Sequence, residues 1–151
     1  MLKQLLGGAQ VNVPAVLTFA ALLMLGGALY LPALFAGTPG VRYFDAIQQA
    51  WQQVLQKHER KASPEEWAAL ASNVAALLDE TQRDLAPVVA SQGIKAPLAQ
   101  RLLWMVDTET GPTKAKGFLR TALESQGRID PKVIQNGNSI MSEASALVPR
   151  R

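Results

Sequence analysis

A single histidine, His58, and no cysteine stand among the 151 residues, so most nucleophilic and thiolate chemistry is absent from the start. Serine catalysis through His58 needs a positioned hydroxyl, and no G-x-S-x-G lies near it. A metal site needs several His, Asp or Glu at ligand spacing, and none surrounds His58. His58 falls on the apolar stripe of a helical pattern, where a satisfied, partly buried imidazole is expected. Two carboxylate groupings invite an acid and base reading: Glu65 with Glu66, and Asp79 with Glu80 and Asp84. The first sits in a helix's first turn, where the dipole favours negative charge, and the second on the solvent side of a periodic helix. Neither needs catalysis to explain it, and no enzyme is expected.

GPTKAKG, Gly111 to Gly117, is the remaining candidate, because glycines and lysines at a helix start can hold phosphate. A P-loop requires G-x-x-x-x-G-K-[ST] after a strand, whereas here Phe118 follows the second glycine and no strand precedes. Weak anion contact through Lys114 and Lys116 is what the stretch retains, within a solvated loop. Thr113 is the expected cap of the helix that follows. The closing LVPRR has the pattern of a protease recognition site and carries no function in this reading. No cofactor and no metal are expected.

The elements that would position any site begin with a long apolar run. Between Lys3 and Arg42 there is no charged residue, and Pro14 to Phe35 is 22 residues whose only polar side chains are Thr18 and Tyr30. As a helix it is about 33 Å long, enough to cross a hydrocarbon core of about 30 Å. A secretory signal has a shorter apolar region behind a more basic start. A double-glycine leader fits Gly7 and Gly8, but cleavage there puts Val13 at the fifth position, where a prepilin carries glutamate. A buried central helix of a globular domain rarely runs so far without a charge. The expectation is an uncleaved, single transmembrane helix over 13–37, after a short segment 1–12. Within it Ala20 and Gly27, and Ala21 and Ala28, are seven apart and share a face with Gly26, which makes a shallow groove for a second helix. Tyr30 suits the headgroup level and Pro32 the last turn. Lys3 and the amino terminus oppose Arg42 across the span, which favours a cytoplasmic N-terminus and a periplasmic or other extracytoplasmic domain.

Beyond a linker at 38–43, a helical domain is expected over 44–148, with a tail at 149–151. Aromatic residues are only 6% of the chain, and the apolar content is largely Ala, Leu and Val, which suits helix packing. Phe44, Ile47, Trp51 and Val54 follow helical spacing opposite a glutamine face. In SPEEW, Ser63 caps a helix, Pro64 fits its first turn and Glu66 completes a capping box. The stripe Trp67, Leu70, Val74, Leu77 follows, and the short KAS connection implies an antiparallel hairpin. Pro87 and SQG (Ser91 to Gly93) are expected to interrupt. APLAQRLLWMV then gives a helix with Leu98, Leu102, Met105 and Val106 on one side, TETGPT a loop, Asp130 with Pro131 the start of a short helix that NGN (Asn136 to Asn138) breaks, and SIMSEASALV a last amphipathic turn or two.

The fold class is thus all-α: a single span followed by a small extramembrane bundle. Net charge is +3 without a run of five like charges, which argues against a nucleic-acid partner. The expected partners are the lipid bilayer and other membrane subunits, or a second copy. The function this implies is a non-enzymatic accessory subunit. The alternative is an extracytoplasmic ligand-binding or sensor module that reports through a partner. Contiguous apolar surface outside the bundle favours the first, and a pocket lined by polar groups the second.

Overall fold

Gly40 starts the first helix by adopting φ +101°, a left-handed conformation costly for any residue with a Cβ. It is also buried, and an added Cβ would meet Leu102 Cδ1 at 3.2 Å. Helix α1 (Val41–Glu59) therefore begins three residues before the expected Phe44, and Tyr43 joins the core face with Phe44, Ile47, Ala50, Trp51 and Val54. The computed structural model describes residues 37–150, and all its regular elements are helical. The expected span at 13–37, with the small-residue face of Ala20, Ala21, Gly26, Gly27 and Ala28, lies outside the described residues apart from Gly37. Among the described residues no helix is long and apolar enough to cross a membrane.

Helix α2 (Pro64–Gln92) starts on the expected capping box. The Ser63 N–H donates to Glu66 Oε2 at 2.9 Å, and the Glu66 N–H donates to Ser63 Oγ at 3.3 Å. Arg60 adds a bond to Glu66 Oε1 at 2.5 Å. At the opposite end of the pair, Arg42 reaches Glu80 at 2.9 Å and the Tyr43 hydroxyl donates to Asp84. Early α1 against late α2, and late α1 against early α2, is the antiparallel hairpin. The expected interruption at Pro87 does not occur, and the helix runs through it to Gln92. Pro87 lacks an N–H and so leaves one helical carbonyl without its donor. It is exposed, while Leu85 is buried and Val88 and Val89 pack on the core, so tertiary contacts hold the last turns. Gly93, at φ +52°, ends the helix where SQG was expected to, and a 3₁₀ turn (Gly93–Lys95) leads on.

Helix α3 (Pro97–Val106) touches all four other α-helices. Ala99 and Leu103 are buried along with the four residues expected to be, so it is a central helix rather than a one-sided one. Helix α4 (Phe118–Glu124) and helix α5 (Pro131–Leu147) close the bundle, the latter capped by Asp130, whose carboxylate accepts from the Lys132 N–H at 2.8 Å.

The expected break at Asn136 to Asn138 does not occur either. Gly137 is buried under Trp51: an added Cβ would stand 2.4 Å from Trp51 Cζ2. The Trp51 indole N–H donates to Asn138 Oδ1 at 2.8 Å. NGN is thus a notch that seats an indole, and the contact outweighs the roughly 1 kcal/mol that glycine costs inside a helix.

Candidate functional site

The stripe residues anticipated as the bundle interface come together as one core. Phe44, Ile47, Trp51, Val54, Trp67, Leu70 and Val74 are buried, and Leu77 is partly so. Function must therefore lie in what surrounds this core: a polar hub, two concave surfaces and the ends of the helices.

The hub is Asp107, fully buried where α3 ends. Its Oδ1 accepts from Gln82 Nε2 at 2.9 Å, and its Oδ2 accepts from the Thr113 N–H at 2.9 Å and the Thr113 hydroxyl at 2.7 Å. Gln82 turns its other amide atom, Oε1, to Arg120 at 3.2 Å. Arg120 also donates to the Val106 carbonyl and, at 2.9 Å, to Asp79. Every member has a partner, as a buried network must to avoid a desolvation penalty. Its effect is to wrap the loop from Thr108 to Gly117 around one carboxylate.

That wrapping decides the fate of GPTKAKG. An added Cβ at Gly111 would stand 1.6 Å from Asp107 Oδ1, and one at Gly117 would stand 2.3 Å from the Met105 carbonyl oxygen. The glycines serve close packing rather than a phosphate cradle. Thr113 bonds Asp107 instead of capping a helix, so α4 begins at Phe118. Lys116 pairs with Glu124 at 2.6 Å, with Glu109 at 3.8 Å, and this holds its ammonium pKa above the ordinary value. Lys114 stands exposed at φ +55°. The pair does not converge on a site.

The carboxylates at 79, 80 and 84 are likewise engaged, with Arg120, Arg42, and Tyr43 with Arg83. Burial, reinforced by the Asp84 carboxylate, raises the Tyr43 phenol above its ordinary pKa, while the bond from Tyr43 lowers that of Asp84. The Ser63 N–H, then Arg60, lowers Glu66. A lowered carboxyl stabilises fully above the ordinary range near about 4 and less as pH falls through its folded value. A raised phenol stabilises fully below about 10 and less as pH rises further. The thermal midpoint should therefore plateau around neutrality and fall on both sides. Tyr43→Phe should weaken the alkaline fall, leaving the share due to Lys116, and weaken the acid one, leaving the share due to Glu66. An unchanged profile in this variant would disprove the assignment.

Among the described residues two of the larger concave surfaces bear on function. A groove of about 710 Å³ runs between α1 and α5, lined by Trp51 and Leu55 together with Gln48, Gln52, Asn138 and Ser142. A second cleft, of about 620 Å³, opens where the α1–α2 turn faces the α4–α5 turn. His58 lines it, half-buried, and its Nδ1 is buried without a hydrogen-bond partner, contrary to the satisfied imidazole expected. Among the described residues no three His, Cys, Asp or Glu side chains are grouped to hold a metal. Neither concavity was legible as such: the glutamine face of α1 pointed to solvent, and its partner residues on α5 fell where a break was expected. Comparison of the chain with models of protein families, with curated proteins and with solved structures finds no match.

Proposed function

We propose that the protein is a non-enzymatic, single-pass membrane protein that serves as an accessory subunit of a larger membrane assembly, its helical domain docking on a partner. The observation that carries this reading is the chargeless run of 22 residues, Pro14 to Phe35, set directly before a helical unit that begins at Thr38. A run of that length and composition suits a span. The bundle leaves only Ile94 as an exposed large hydrophobic among the described residues. The proposed docking therefore does not rest on a contiguous apolar face and is polar and charged. Non-obligate interfaces are commonly no more apolar than the rest of the surface.

The test is mild extraction from the native membrane with a C-terminal affinity tag and identification of what accompanies the chain. A stoichiometric partner supports the reading, and recovery of the chain alone sinks it. Gly27→Leu with Ala28→Leu should lower partner recovery while the helical domain stays folded, because bulk on that face blocks close helix approach. Normal recovery would dispose of the packing face.

We further propose the N-terminus in the cytoplasm and the bundle outside. The chain has no cysteine, so Ala90→Cys gives one reporter on an exposed site. Labelling of intact cells by a membrane-impermeant maleimide is expected, and protection until lysis would reverse the orientation.

The α1–α5 groove favours one second reading, a ligand-binding module. Its volume falls within the roughly 300–1,000 Å³ of small-molecule pockets, and its amide and hydroxyl walls are the polar lining that the sequence reading associated with a ligand site. A small molecule retained through purification would favour it.

A further inference from the structure

Of the thirteen lysines and arginines among the described residues, six are paired with carboxylates. Arg42, Arg60, Arg83, Arg101, Lys116 and Arg120 each meet a carboxylate within 4.0 Å. Lys57, Lys61 and Arg128 form no such pair among the described residues, and all three line the cleft at the α1–α2 turn together with His58. One carboxylate, Glu59, is on the same rim. The residues come from distant parts of the chain, the end of α1 and the turn before α5, so the fold itself gathers them. Lys61 takes φ +54° in doing so.

The cleft does not end with its charges. Trp67 and Gln126 line it and also line an adjoining hollow of about 300 Å³ whose other walls are Ala68, Ala71, Leu123 and Glu124, the last with its carboxylate paired to Lys116 at 2.6 Å. Unpaired positive charge thus sits next to a mainly apolar recess that shares Trp67 and Gln126 with the cleft. A free phosphate or carboxylate ion would use only the first half. A polypeptide segment with acidic side chains and a neighbouring aliphatic one would use both, and its charge is complementary to the rim.

We infer that this double cleft receives an acidic, leucine-bearing segment of the partner protein, an inference that rests on the accessory role proposed above. The carboxylates lie along Lys57, Lys61 and Arg128, and the aliphatic side chain enters beside Trp67. Binding of this kind is steered by charge and weakens with salt.

The experiment uses the full chain in detergent and a fluorescein-labelled peptide of sequence Glu-Glu-Leu-Glu-Glu-Leu, followed by anisotropy. Wild type is expected to bind, hexaglutamate to bind more weakly, and inorganic phosphate at matched ionic strength not to compete. The variant Lys57→Gln, Lys61→Gln, Arg128→Gln should lose about tenfold or more in affinity. The charge-matched control Lys95→Gln, Lys114→Gln, Lys132→Gln should stay near wild type. Ala68→Glu, an exposed position bordering the hollow, should weaken the leucine-bearing peptide through the second half of the site. Equal losses in the cleft and control variants would overturn the proposal, as would no binding, or displacement by phosphate, which would assign the cleft to a small anion. A cleft variant that still recovers a stoichiometric partner refutes this site and leaves the accessory role standing. Absence of any partner from wild type refutes the role itself.

Discussion

Trp51→Ala is expected to destabilise the bundle by about 3–5 kcal/mol, the range for truncating a large buried aromatic. The side chain is 2% exposed, faces the Gly137 notch and spends its one donor on Asn138. Its loss removes the packing, leaves a cavity and strips the reason for a glycine in mid-helix. The reciprocal change, Gly137→Ala, brings a Cβ to 2.4 Å from the ring and should cost about 1–3 kcal/mol by overpacking. Combined, the two should cost less than their sum, because an alanine at 51 makes room for one at 137. Urea unfolding followed by far-ultraviolet circular dichroism reads all three. Strict additivity would mean that the notch and the indole do not meet as described.

Asp107→Ala is the second large effect. It removes the acceptor of the Gln82 amide and of both Thr113 donors in a place closed to water. A buried donor left unpaired costs about 1–3 kcal/mol, so a loss of about 3 kcal/mol is expected even with partial relief at the loop. Asp107→Asn should not rescue it, since an amide offers one oxygen where two are used. The specific reading is hydrogen exchange: the Thr113 amide should lose protection well beyond the change at Leu70 in the core. Equal changes at the two would show a general loss of stability and no wrapped loop.

Much of the helical hairpin was legible because its signals are local. Ser63, Pro64 and Glu66 act on one another within a single turn, and the stripes of α1 and α2 follow from period alone. Pro87 and Asn136 to Asn138 misled for the opposite reason. They carry local penalties of about 3 and about 1 kcal/mol, which contacts from distant segments outweigh, and no window of sequence contains those contacts. The hub was missed likewise. Asp107 follows an apolar helix and precedes a run of threonines, a hint of a carboxylate among donors, but Gln82 and Arg120 join it only through the fold. The cleft is less legible still, because Lys57, Lys61 and Arg128 read as ordinary surface charges until three dimensions bring them to one rim.

The locking of the start of α1 has a mechanical side. Any tension that enters the helical domain through Thr38 reaches Gly40, which is seated against Ala99 and Leu102, and then Arg42 and Tyr43, which are tied to Glu80 and Asp84. Within one helical turn the load is shared by α1, α2 and α3 in parallel. The first turn is gripped from two sides, so a pull there strains several attachments together rather than peeling them one after another. The entry to the domain behaves as a clamp.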